Sequence, residues 1–370
     1  MATLDSIMDP ERNNFGLLRL SAAASVVISH AFYLATGDDL AQPLSGLTRY
    51  NLGQHAVHLF FVISGLTVAG SLDRASSLRS FALARVLRIV PGLAVCVLLT
   101  TFALGPWVST YPLKAYFENP LTYLYPAQTL TLAKISGLLP GVFDSNPHAG
   151  VVNEPLWTLK YEVLCYAALA LLGATGVWRS SRAFLVVVGL SLVILGPITM
   201  VKTAPIDGAT VLVSIARLWL CFLFGLILYR YRAKVPLSWL VLTLVAGTWW
   251  GFGVGTRLEP ILTFVLAGYG AVTLAACPVG PLRQWTNRTD LSYGVYIYGW
   301  PISQTLVWAV PGIGSGRLAI VSLLLAAFCG WLSWLFVERP SLRARTTLSS
   351  WFRGRQTDAL GKVGHGNLMP

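Results

Sequence analysis

The chain has 370 residues, 55% hydrophobic and 11% charged, with a mean hydropathy of +0.64, whereas soluble domains carry about 25% charged residues. These figures exclude a disordered chain, a coiled coil, a collagen-like repeat and a small disulfide scaffold, and they leave more apolar surface than one aqueous core hides. The sequence is that of an integral membrane protein, so its net charge of +12 must be located before it is read as a nucleic-acid signature.

In chain order, the polar segment 1–14 lacks the basic start and small-residue cleavage site of a removable signal peptide. Apolar runs follow at 15–35, 52–72, 84–105, 155–174, 183–200, 210–229, 236–254, 260–277, 291–310 and 317–337, each near the ~20 residues that a helix needs to cross a bilayer. They predict an all-α, polytopic bundle of about ten transmembrane helices, one domain over 15–338. The longest interruption, 106–154, carries Pro106, Pro112, Pro120, Pro126, Pro140 and Pro147 among aromatic residues such as Trp107, Tyr116 and Tyr125. Loops of this length are functional or disordered, and the aromatic content favours an ordered cap that dips into the membrane. Residues 339–370 form a basic tail, expected to be a short helix followed by disorder, with no soluble domain appended. No internal repeat supports an inverted-repeat transporter.

Ten spans put both termini on one side. With Arg85, Arg88 and Arg317, which stand in the opening residues of their spans, counted with the adjoining connections, 18 of the 27 Lys and Arg residues lie in the connections and tail of that side, 6 in the opposite connections and 3 within spans. By the positive-inside rule the termini are cytoplasmic, and the basicity is topological, with no nucleic-acid partner implied. Cys96, Cys165, Cys221, Cys277 and Cys329 all lie in apolar runs without C-x-x-C spacing, so neither a disulfide framework nor zinc is indicated. His55 and His58 can share a helical face, but no further ligand cluster is near and no metal is expected. Phosphate-loop, dinucleotide-fold, hydrolase-elbow and H-E-x-x-H motifs are all missing from the sequence.

An ionisable group at mid-bilayer costs about 2.5–3.5 kcal/mol on insertion scales and is a functional hypothesis by default. Arg19, His30, Glu162 and Arg217 are such groups. Arg19 and His30 are eleven residues apart, so on a helix they share a face, roughly 16 Å apart along the axis. The competing readings are snorkelling of Arg19 to the interface and a structural hydrogen bond for His30. Counting inward from Asn153 puts Glu162 at the depth of His30, where a carboxylate and an imidazole can act as orienter and general base. An ion pair of Glu162 with Lys160 or Arg217 is the alternative, and Arg217 is either a charge partner or a substrate contact. Arg85 and Arg88 open the third span; they either mark topology or bind an anionic cytoplasmic ligand, since guanidinium forks match phosphate.

Six short strings in order, Arg19 through His30, Phe60-Phe61-Val62-Ile63-Ser64-Gly65, Arg85 to Pro91, Trp157-Thr158-Leu159-Lys160-Tyr161-Glu162, Ser292-Tyr293-Gly294-Val295-Tyr296 and Val337-Glu338-Arg339-Pro340, resemble the membrane-bound acyltransferase 3 family of bacterial O-acyltransferases. The resemblance covers about 13–345. Departures are Gly16, where many members have Asp, His58, where they have an acidic or amide residue, and Gly299, where they have His; no essential histidine is therefore expected at 299.

The resemblance implies transfer of an acyl group, acetyl by default, from cytoplasmic acyl-CoA to a sugar hydroxyl of a cell-surface or exported glycan, in the bacterial inner membrane among its lipids. Acyl-CoA is then a co-substrate and no cofactor is permanently bound. Arg19, Arg85 and Arg88 would hold the CoA. His30, oriented by Glu162, would act as base or carry the acyl group, and Trp157, Tyr161, Ser64, Tyr293 and Arg217 would contact substrate. The rival readings are a proton-coupled transporter or flippase built on the same intramembrane groups, and an assembly partner of a glycan-export complex.

Overall fold

The computed structural model describes residues 2–132, 137–201 and 207–344, and their side chains except at 207–210. Lys134, Lys202 and the tail beyond 344 lie outside the described residues. Among the described residues there is no β-strand, only isolated bridges, and every expected apolar run is helical. The long helices are α1 (Phe15–Thr36), α2 (Leu52–Asp73), α3 (Leu78–Leu99), α4 (Trp157–Ala174), α5 (Ser181–Met200), α6 (Asp207–Arg230), α7 (Trp239–Thr248), α8 (Glu259–Ala275), α9 (Ser292–Ala309) and α10 (Ser315–Ser333). Three continue through single π-helical turns, α3 at Thr100–Leu104, α7 at Trp249–Gly253 and α10 at Trp334–Glu338.

Among the described residues, seven helices are long and apolar enough to cross a membrane. The α7 and α8 helices are shorter, and α9 is diluted by Tyr, Ser, Gly and Gln. Burial separates the inner helices from the outer ones. The most apolar windows of α2 and α6 are 61% buried and that of α5 is 17% buried, so α5 turns Leu185, Val186, Leu190, Val193 and Ile194 outward, as a lipid-facing helix does.

The α1 helix packs on α2, α9 and α10, and α2 packs most extensively on α6. Two glycine contacts set these distances. A Cβ at Gly65 would strike the Phe222 carbonyl oxygen, and one at Gly225 that of Val62; Gly294 similarly meets Gly330 where α9 crosses α10. Close backbone approach through small residues is the usual means of joining helices where lipid supplies no hydrophobic drive.

At the end of the bundle holding both described termini, Leu4 N–H donates to the Val235 carbonyl at 2.9 Å and Arg232 pairs with Asp5 at 2.7 Å. At the opposite end, the segment leading into α4 descends into the bundle. Val152, Asn153 and Leu156 are buried, Asn153 Nδ2 donates to the Ile297 carbonyl at 2.9 Å, and Trp300 Nε1 donates to that of Val151 at 3.0 Å. The first turn of α4 therefore begins beneath this plug, and α2 starts nearby with a capping box in which Asn51 and Gln54 satisfy one another's backbone N–H groups.

Candidate active site

Two chambers meet inside the bundle. The one nearer the termini, about 420 Å³, is lined by Arg19 of α1, Ser64 of α2, Arg85 and Arg88 of α3, Glu162 and Tyr166 of α4, Asp290, and Tyr293 of α9, with Arg74 among its cations. Asp290 organises it. One carboxylate oxygen pairs with both Arg19 and Arg88, the latter at 2.7 Å, while the other accepts from the Ser292 hydroxyl at 2.6 Å and its backbone N–H at 3.2 Å. Arg88 also reaches Glu338, at 3.4 Å, which the π-turn closing α10 directs inward and which accepts from Ser333.

Arg85 makes no carboxylate pair among the described residues. Its guanidinium donates to Ser71 Oγ at 3.3 Å and lies over the Tyr166 ring at 5.6 Å, and its Nε has no hydrogen-bond partner. Tyr166 in turn donates to Glu162 and lies 3.2 Å from Ser64 Oγ. Tyr293 donates to the Ile89 carbonyl at 2.8 Å and carries Arg88 over its ring. Four arginines against two lining carboxylates leave the chamber cationic, and fork-shaped donors with spare N–H groups suit a phosphate-bearing ligand.

The second chamber, about 380 Å³, opens toward the plug and is lined by Val26, His30 and Tyr33 of α1, Asp39, Gln42, Gln54, Glu154, Trp157 and Arg217. The His30 ring meets Trp300 edge to face, with centroids 4.9 Å apart, and no described residue hydrogen-bonds to it. Its nitrogens are thus unclaimed by any described residue. The Tyr33 hydroxyl lies 2.8 Å from His148 Nδ1, and His148 Nε2 lies 3.5 Å from Glu154. Burial lowers the His148 pKa below the ordinary histidine range, which favours the neutral ring, whose Nδ1 can accept a hydrogen bond from the Tyr33 hydroxyl. Arg217 is 7% exposed, lies over the Tyr50 ring at 5.4 Å and leaves its Nε without a hydrogen-bond partner.

The structure thus groups Arg19, Arg85, Arg88, Ser64, Tyr293 and Glu162 in one chamber, and His30, Trp157 and Arg217 in the other. Tyr161 lines neither; it is buried against Trp157, with Lys160 over its ring. The expected pairing of His30 with Glu162 is not found. Depth counting assumed that α4 begins at the membrane surface, but its first turn already lies under the buried 152–156 segment, which carries Glu162 past His30 to the arginines. Glu162 forms no ion pair with Lys160 or Arg217 among the described residues; its partner is Tyr166. At Gly299 the backbone runs so close to Val27 that a Cβ would meet that side chain, so any larger residue here requires Val27 to shift.

Several groups in or beside the chambers have no clear signal in the sequence. Asp290 sits two residues before Ser292 at a span boundary, where a carboxylate reads as solvated. Glu154 and His148 belong to the Pro-interrupted segment, and nothing in their spacing announces that the chain folds back into the bundle. Tyr166 stands in plain apolar sequence, although it follows Glu162 by one helical turn.

Residues 12–336 match the family described as an acyltransferase domain. The chain is 31% identical to nodulation protein 10 of Rhizobium leguminosarum bv. viciae, over 91% of this chain and 95% of that protein. It is 29% identical to a protein named O-acetyl transferase from Shigella phage Sf6, over 89% of this chain and 96% of the relative. No solved structure matches it. With a family match across nearly its whole length and a relative alike from end to end, this multi-pass helical protein belongs to the acyltransferase 3 family.

Proposed function

We propose that the protein is a membrane-bound O-acyltransferase that moves an acyl group from acyl-CoA on the cytoplasmic side of a bacterial inner membrane to a sugar hydroxyl of an exported or cell-surface glycan on the other side. The phage relative's name makes acetyl the first group to test. One observation carries the reading: an arginine-lined chamber abuts a chamber in which a histidine has no hydrogen-bond partner on either ring nitrogen among the described residues.

On this reading Arg19, Arg85 and Arg88 hold the anionic part of the donor, and the thioester reaches toward His30. His30 takes the proton of the acceptor hydroxyl as its oxygen attacks the thioester carbon; the C–S bond breaks and the proton passes to the departing CoA sulfur. In the covalent variant, a His30 nitrogen attacks the thioester carbon and the C–S bond breaks to release the CoA thiolate, which takes the imidazole proton; the acceptor hydroxyl then attacks the acyl-imidazole, the C–N bond breaks, and the hydroxyl proton returns to the freed imidazole. The acceptor sugar rests against Trp157 and Arg217, and Tyr33 with His148 lies beside it.

The test is incubation of purified protein in vesicles with radiolabelled acetyl-CoA and envelope glycan of the native host. Label enters the glycan with wild-type protein, and His30→Ala lowers the rate at least ~100-fold, the scale of a lost general base. Transient label on His30, caught by rapid quenching when acceptor is withheld, identifies the covalent variant. Glycan uptake without acylation overturns the proposal.

A further inference from the structure

We propose that Val57, Thr158 and Tyr296 form a gate between the two chambers that sets the length of the acyl group allowed through. The inference rests on the donor and acceptor assignment above, since it treats one chamber as the source of the acyl group and the other as its destination.

Of the described residues, these three alone line both chambers, and they come from three helices, α2, α4 and α9. On two of those helices the chain changes chamber at the shared residue. Along α2, Gln54 faces the His30 chamber, Val57 faces both, and Phe60 and Phe61 face the arginine chamber, one helical turn at a time. On α4 the same change takes three consecutive residues: Trp157 on the His30 side, Thr158 on both, Leu159 on the arginine side.

The three side chains of the wall are tightly packed. Thr158, Tyr296 and Val57 are 5%, 8% and 9% exposed. The Tyr296 hydroxyl donates to the Pro155 carbonyl at 2.7 Å and lies 2.7 Å from the Thr158 hydroxyl. With one hydrogen each, Thr158 donates to Tyr296 and Tyr296 to Pro155, a consistent chain that fixes the tyrosine ring across the passage. Phe60 backs that ring edge to face, with centroids 5.8 Å apart. An acyl thioester passing from the arginines to His30 must displace this group or slip beside it. Val57 is the one member without a polar obligation, so its bulk can change without orphaning a hydrogen-bonding group.

No bond forms or breaks at the wall, and its effect is on which acyl groups arrive. The experiment supplies vesicles with radiolabelled acetyl-, butyryl- and hexanoyl-CoA and measures each rate of transfer to host glycan, for wild type, Val57→Ala and Val57→Phe. Val57→Ala is expected to raise the hexanoyl-to-acetyl rate ratio at least tenfold. Val57→Phe is expected to lower transfer from all three donors while the purified variant still binds CoA with wild-type affinity. An unchanged chain-length ratio in Val57→Ala, with an active wild type, overturns the gate and leaves the acyltransferase reading intact. A wild type that transfers from none of the donors overturns both.

Discussion

Asp290 shares one oxygen between Arg19 and Arg88 and anchors the other on Ser292, so two guanidinium groups converge before any ligand arrives. Breaking a largely buried ion pair from one side leaves charge uncompensated, at a cost of about 3 kcal/mol or more. Asp290→Asn should therefore lower the thermal midpoint of the purified protein and raise the KM for acyl-CoA, both read on one preparation. Glu162 is expected to behave differently from His30, because the two line different chambers. Glu162→Gln loosens Tyr166 and the arginine side, which should raise donor KM about tenfold with a smaller change in kcat, whereas His30→Ala acts on kcat. Steady-state kinetics with acetyl-CoA as the varied substrate separate these outcomes; a kcat collapse with unchanged KM in Glu162→Gln contradicts the placement of that carboxylate among donor contacts. Arg19 is legible in the sequence because a charge in an apolar run is costly enough to be rare, and Arg85 and Arg88 because they stand where the third run opens. Asp290 is not, because at the boundary of a run the same charge costs nothing visible until its partners are known.

Helices are the most readable level. A run of ~20 apolar residues has few alternatives to a helix in lipid, where every backbone polar group must be paired within the segment, and each expected run is helical. The π-turns at Thr100–Leu104, Trp249–Gly253 and Trp334–Glu338 are not legible, since one inserted residue leaves the hydropathy of a run unchanged while rotating the turns beyond it. Likewise the buried descent into α4 has the composition of a loop and the location of a core. The Gly65 to Gly225 crossing makes a prediction at this level. Gly225→Leu puts a side chain where the α2 backbone already stands, and α2 and α6 should separate; the fraction of monodisperse protein on size-exclusion chromatography in mild detergent should fall severalfold. Leucine at Gly189, which has open space around it on α5, should leave that fraction unchanged.

For the whole molecule, the distribution of basic residues predicts one orientation, and the chambers acquire direction from it. In a cysteine-free background, Ser76→Cys and Lys114→Cys, both in exposed positions at opposite ends of the bundle, should respond oppositely to an impermeant maleimide. Spheroplasts should label position 114 alone, and inside-out vesicles position 76 alone; the reverse pattern would invert donor and acceptor sides.

The wall shared by the two chambers has a further consequence for the cell. Each elementary charge moved across 100 mV involves about 2.3 kcal/mol, so a path connecting two aqueous ends would let ions run down the membrane potential. If the proposed gate holds, its three packed side chains, two of them hydrogen-bonded to each other, would block ions at the centre of the protein. On the proposed reading a neutral acyl group would cross this barrier while its charged carrier stays behind, and acyl transfer across the membrane would not discharge it.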